Sequence, residues 1–453
     1  MYFRYHKKDE NLSLHGRFKT ILLLSLVIPW MHLSSCKRSN GPSQNEEGPI
    51  EITYWCDSNP ISVNLAAILV ENWNSTHDDI KVKLVPIPAS HSSEETILAA
   101  IAGGTTPDLS ENIWAGGVPT YSSAGGMVKL DDFPDFTDYV EQRLPEGMLE
   151  NVTGVDGFHY AIPYRTNPIM VLYNTEIFKN AGIKAPLRTY SQFFQAAQAI
   201  TADTDNDGHI DQWMGYTSQQ PIWWHRMFDF YCFFIAASGG NRLLDGDKIC
   251  FDNEAAIETM AFFQGMFEKG YYPRTEFPTD PFNAGKVATI ITGPWHLTYL
   301  EKYKTENLQY DLMPLPVPDQ ITGPTHTYTS THCLGIFSTT KHPKAVWEFI
   351  KYLTSPENDL ELMKTSHQLP VRKNLLTNPG YQSYFEANPL MAKFASQLPY
   401  CPPMDTNENF KEVLDAISQE FEMCAVYNRK SPQEAIGDAV KRTQVILEWN
   451  RSR

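Results

Sequence analysis

The sharpest chemical spacing in the chain is "DTDNDGHID". Asp203, Asp205, Asp207 and Asp211 stand at places 1, 3, 5 and 9 of a calcium loop, with Gly208 at place 6 and His209 beside it. Carboxylates at alternate residues of a tight loop converge on one side, and a hard cation takes such oxygen ligands. Met214 stands at place 12, where an EF-hand carries a bidentate Glu, and no flanking helix pair is visible, so the expectation is a shorter, dockerin-like loop. The expected ion is calcium, in a stabilising and not a catalytic role. The plain alternative is a solvated acidic turn.

The second chemical signal is aromatic. Trp55 ends an apolar run, Trp114 sits in "PDLSENIWAGG", Trp223 and Trp224 in "QQPIWWHR", and Trp295 after "ITGP". Flat rings stack on the apolar faces of sugars while neighbouring Asp, Asn, Gln and Arg bond the hydroxyls, a pocket chemistry that is apolar with a few placed polar groups. A single tryptophan is more often core than site. Here the positions, at the ends of elements, favour a cleft.

Signatures of catalysis are missing: there is no HExxH, GxSxG, GxxxxGK[ST] or GxGxxG. Paired carboxylates for glycoside cleavage need only meet in space, so 53 acidic residues neither support nor exclude them. The formal charge of −16 argues against nucleic acid, whose binding rests on cationic contacts to phosphate, and against an anionic ligand drawn in by the overall field.

These residues need a scaffold. "EITYW" and "IKVKLVPI" read as strands, "ISVNLAAILVENWN" and "SEETILAAIAGG" as helices, the latter capped by Ser92 or Ser93. Strands at "HYAIPY", "IMVLYN", "KVATIITG" and "THCLGIFS" alternate with helices at "TEIFKNAGI", "TYSQFFQAAQAIT" and "NEAAIETMAFFQGMFEKG". Val346, Phe349, Ile350 and Leu353 make one apolar stripe, and Ser355-Pro356 and Ser431-Pro432 each supply an N-cap and a first-turn proline. The fold class is α/β. About 400 residues follow the leader, more than one core usually serves, so two lobes are expected.

The chain opens with basic residues and the apolar run "LLLSLVIPWMHLSSC", too short for a membrane span of about 20 residues. Its end resembles a bacterial lipobox, which implies a signal peptide over 1–35 and a lipidated Cys36. Residues 36–49, polar and rich in Gly and Pro, then form a flexible tether. The remaining cysteines, Cys56, Cys232, Cys250, Cys333, Cys401 and Cys424, are scattered and read mostly as small buried hydrophobes.

Four blocks, "GGTTPDLSENIWAGGVPTYSSAGGMVKLDDF", "GFHYAIPYRTNPIMVLYNTEIFKNAGI", "FNAGKVATIITGPW" and "LGIFSTTKHPKAVWEFIKYLTSPENDLELM", resemble in order those of the extracellular solute-binding proteins of ABC importers, family 1, the maltose-binding-protein-like carbohydrate receptors. The resemblance implies a two-lobed, type II periplasmic-binding-protein fold. Lobe one would be 50–163 with 333–372 and lobe two 164–332 with 373–453, with hinges near 163–167, 328–332 and 369–371. It implies ligand contacts at Asp57, Ser58, Trp114, Arg165, Asn167, Trp223, Trp224, Trp295, Asp405 and Asn407, with Trp295 the main stacking platform. It further implies a monomer in the cell envelope, outside the cytoplasm, that captures a sugar without cleaving it and hands it to permease subunits. The alternatives are an exported glycoside-active enzyme, a ligand-reporting partner of a membrane kinase, and a receptor for an amino acid or polyamine.

Overall fold

The computed structural model describes residues 48–88 and 92–451, which belong, but for Gly48, to the compact unit Pro49–Arg453. The leader at 1–35, Cys36 and nearly all of the tether lie outside the described residues. Among the described residues no helix is long and apolar enough to cross a membrane.

The strands, in chain order, are β1 (Ile50–Cys56), β2 (Ile80–Pro86), β3 (Leu109–Trp114), β4 (Ala161–Pro168), β5 (Met170–Asn174), β6 (Trp213–Gly215), β7 (Leu244–Asp245), β8 (Lys248–Ile249), β9 (Val287–Thr292), β10 (Tyr310–Met313), β11 (Thr329–Ile336) and β12 (Leu369–Pro370). They form a six-stranded sheet ordered β12-β4-β11-β3-β1-β2, a four-stranded sheet ordered β10-β5-β9-β6, and the hairpin β7-β8. Helices return the chain between parallel β1, β2 and β3, as parallel pairing demands. The α/β class expected from the alternation is the one observed.

The helix Pro60–Thr76 starts at Asn59, whose side chain accepts from Ile61 N and Ser62 N. Ser92, one residue before the helix Ser93–Gly103, is its cap. Ser355 caps the helix Pro356–Ser366 with proline at the first turn. The stripe Val346, Phe349, Ile350 and Leu353 is wholly buried on the helix Pro343–Leu353. The helix Phe230–Ala237, "FYCFFIAA", is buried on every face and forms the centre of an aromatic core. Among the described residues all six cysteines are free, four of them buried, so they pack as apolar side chains.

Only Ile169 separates β4 in the first sheet from β5 in the second. Beside β4 run β11 and β12, both antiparallel to it. In these three adjacent stretches chain segments serving the two sheets lie side by side. All eight residues of β4 are buried.

Candidate functional site

The site is built from the turn after β1 and from residues along β3 and β4. Asp57 follows β1, is 7% exposed, and accepts from Asn59 N at 3.1 Å and Asn59 Nδ2 at 2.8 Å, so the helix cap and this carboxylate are fixed together. Arg165, 1% exposed on β4, reaches Asp57 at 3.6 Å and Glu111 of β3 at 3.4 Å. Glu111 also accepts from Asp57 N at 3.2 Å and from the Tyr54 hydroxyl. Burial pushes the Glu111 carboxyl up and Arg165 opposes it. Asn167, buried two residues further along β4, donates to Gln368 Oε1 at 3.1 Å. Ser58 is exposed.

Beside this polar group lies a run of aromatic rings. Trp114 contacts Trp223 at 5.9 Å and Phe410 at 5.8 Å between ring centroids. Phe410 meets Tyr231 at 5.3 Å, Tyr231 meets Tyr328 at 5.3 Å, Tyr328 meets Phe228 at 6.4 Å, and Phe228 meets Trp295 edge-on at 5.8 Å. Trp114, Trp223 and Trp295 are therefore linked ring to ring, in part through buried Phe410, Tyr231 and Tyr328, whereas Trp224 packs against His225. Trp223, Trp224 and Trp295 are partly exposed, whereas Trp114 is 7% exposed.

Glycine permits two of these placements. A Cβ on Gly293 would lie 2.0 Å from the Trp295 ring, and one on Gly116 would lie 2.2 Å from the Trp114 ring. Each indole thus folds back over a glycine two residues away. The turn carrying Trp223 and Trp224 is anchored beneath by Arg226, which pairs with Asp229 at 2.9 Å, donates to Ser218 O at 2.8 Å and lies 3.9 Å over the Phe421 ring.

Two expected contacts are elsewhere. Asp405 is 1% exposed and accepts from the Tyr231 hydroxyl at 2.7 Å, Leu244 N at 2.7 Å and Leu243 N at 3.1 Å. It holds the aromatic run and the hairpin β7-β8 from behind, because a buried carboxylate needs donors and the fold supplies three. Asn407 donates to Gly246 O at 2.9 Å and accepts from Asn409 N at 2.8 Å, so it braces the same hairpin. The segment "PPMDTNENF" reaches the ring network through Phe410. Sequence reasoning gave Tyr328 and His332 only as bounds of a hinge and passed over Glu111 and Phe410; the one available signal was an acid in the otherwise strand-like "LSENIW".

In the acidic loop the carboxylates of Asp203, Asp205 and Asp207 lie within 4.8 Å of one another. Gly208 and Asn206 take the left-handed conformation that the tight turn requires. Gly208 N donates to Asp203 at 2.8 Å. Asp211 is instead claimed by Thr204 N at 2.8 Å and Lys286 at 3.6 Å, and His209 stands outside the convergent set. Three of the five expected ligands thus fit a hard cation as placed.

Residues 69–392 match the family described as bacterial extracellular solute-binding protein. The sn-glycerol-3-phosphate-binding periplasmic protein of Pectobacterium atrosepticum is 22% identical over 400 residues, covering 84% of this chain and 87% of that one. Among solved structures, a cyclic alpha-maltosyl-1,6-maltose binding protein from Arthrobacter globiformis superposes with a TM-score of 0.75 at 19% identity, covering 88% of this chain and 100% of that one. A Mycobacterium tuberculosis protein in complex with glycerophosphocholine superposes with a TM-score of 0.74 at 20% identity, covering 89% and 99%. At these identities the likeness to the solved structures is one of fold.

Proposed function

The chain belongs to the bacterial extracellular solute-binding proteins, and from that membership we propose that it is the receptor subunit of an ABC importer for an uncharged sugar or short oligosaccharide. The observation that carries the choice of ligand is the ring network from Trp114 to Trp295 beside a polar group with no excess positive charge. Arg165 faces two carboxylates, so it offers a phosphate no net attraction even with Glu111 protonated. Lys411, 6.0 Å from the Trp223 ring, is paired with Glu95 at 3.0 Å. The rings bind the apolar sugar faces, the amide and guanidinium groups bind hydroxyls, and no bond is broken.

The three adjacent crossing stretches serve as the hinge between lobes 50–163 with 333–372 and 164–332 with 373–453. Closure is favoured by as much as the ligand binds the closed form better. Cys36 carries lipid and keeps the receptor near its permease. A Cys36→Ser chain is then expected in the soluble fraction, where the native chain partitions with membranes.

The test of the ligand is a thermal-shift panel of maltotriose, cellotriose, xylotriose and raffinose against sn-glycerol 3-phosphate and glycerophosphocholine. A neutral oligosaccharide at a hundredfold excess over its Kd is expected to stabilise the fold by about 2.7 kcal/mol. Stabilisation by the phosphorylated glycerols alone would replace this ligand class with theirs. Trp295→Ala is expected to weaken sugar binding at least about tenfold in calorimetry, from the loss of one stacking face. Chromatography of the incubated sugar is expected to return it intact, whereas cleaved product would make the protein an enzyme.

A calcium ion on Asp203, Asp205 and Asp207 is proposed to rigidify the loop that precedes β6. Calcium is expected to raise the melting temperature of the native chain and leave that of Asp203→Ala unchanged. Equal melting curves with calcium and with chelator would remove the ion from this reading.

A further inference from the structure

His332 sits on β11 directly opposite Trp114 of β3 on one side and Arg165 of β4 on the other. Residues paired across strands project from the same face about 5 Å apart, so indole, imidazole and guanidinium form a single row. The next row on that face pairs Ser330 with Asn167. Thr331 and Cys333 are fully buried, whereas His332 and Ser330 retain partial exposure, which identifies this as the accessible face.

Four buried polar atoms on these rows have no hydrogen-bond partner among the described residues: Trp114 Nε1, Arg165 Nε, Asn167 Oδ1 and His332 Nδ1. Buried polar groups are nearly always paired, and four orphans on neighbouring positions of one face call for an outside partner. Asn167 is oriented by its bond to Gln368, which leaves its carbonyl oxygen to accept. Arg165 is oriented by Asp57 and Glu111, which leaves Nε–H to donate. A donor and an acceptor side by side suit a hydroxyl, which does both, and not a phosphate, which at neutral pH chiefly accepts.

We propose that His332 is a specificity-determining residue of the binding site, its imidazole joining Arg165 and Asn167 to read the hydroxyl edge of a sugar ring that rests against Trp114. Burial and the neighbouring Arg165 push the imidazole down to about 3, so it meets the ligand neutral, with one nitrogen to donate and one to accept. The inference rests on the sugar-receptor reading and adds the residue that selects among sugars.

The experiment uses whichever of the four neutral oligosaccharides gives the largest melting shift with the full chain. His332→Ala is expected to lose about tenfold in affinity by calorimetry while the melting temperature of the free protein stays within a few degrees of native. His332→Asn, which keeps a donor and an acceptor, is expected to recover part of the loss. A series of singly deoxygenated versions of that oligosaccharide then separates reading from packing. On the analogue lacking the hydroxyl in question, native protein and His332→Ala should bind equally. The proposal is overturned if both variants bind within twofold of native, or if His332→Ala loses the same factor on every analogue. If no neutral oligosaccharide shifts the melting point at all, the receptor reading itself fails.

Discussion

At the scale of the residue, Asp405 shows how burial decides a role. Burial pushes its carboxyl up to about 6, against the three donors that hold it. A carboxyl whose folded pKa lies above its unfolded value of 3.8 stabilises the fold fully below about pH 4, and that stabilisation is lost as the pH rises to about 6. The difference amounts to about 3 kcal/mol. Asp405→Asn is therefore expected to gain stability relative to native as the pH goes from 4 to 6 and to hold a constant offset above that. Urea unfolding at a series of pH values reads the difference, and an offset independent of pH would show that Asp405 titrates normally. The positions of Trp114, Trp223 and Trp295 at the ends of elements were legible in the sequence: Trp114 closes β3, and Trp223 and Trp295 each open a helical segment. Glu111 and His332 were not, because inside "LSENIW" and "THCLGIF" a polar residue looks like the outward side of any strand.

At the scale of the element, β12 is tied to the helices Phe136–Arg143 and Pro356–Ser366 through the residues that follow it. Arg372 bonds Asp359 and donates to Thr354 O at 2.6 Å, while Arg143 grips Asp359 with two bonds of 2.9 and 3.1 Å and shares the same carbonyl at 2.6 Å. Asp359 is completely buried, so two guanidinium groups depend on one carboxylate. Removing it by Asp359→Ala is expected to cost about 3–5 kcal/mol in denaturant unfolding, the scale of an uncompensated buried charge. A loss below about 1 kcal/mol would mean that water reaches the site. Two helix starts were readable in advance, since Ser92 and Ser355 announce their caps chemically. The pairing of β11 between β3 and β4 was not, because register depends on partners far away in the chain.

At the scale of the whole molecule, segments that accompany the two sheets also touch away from the crossing strands. Asn151 accepts from Met404 N at 2.8 Å, and Glu95 of the helix Ser93–Gly103 meets Lys411 of the helix Phe410–Phe421 at 3.0 Å. The ion pair is solvent-exposed and worth at most about 1 kcal/mol. Lys411→Ala is accordingly expected to change sugar affinity less than about fivefold in calorimetry, far less than the loss of a ring; a larger effect would make the pair a principal latch. Periodicity, capping residues and turn glycines act within a few residues of themselves, so the sequence alone determined the α/β class, several of the helices and the order of blocks that resemble a solute receptor. Only the tertiary structure decided that Asp405 faces inward, that Asp211 belongs to Lys286, and that Trp114, His332 and Arg165 form one row. Those facts depend on contacts between residues tens to hundreds of positions apart, and no local pattern encodes which of many buried polar groups will meet.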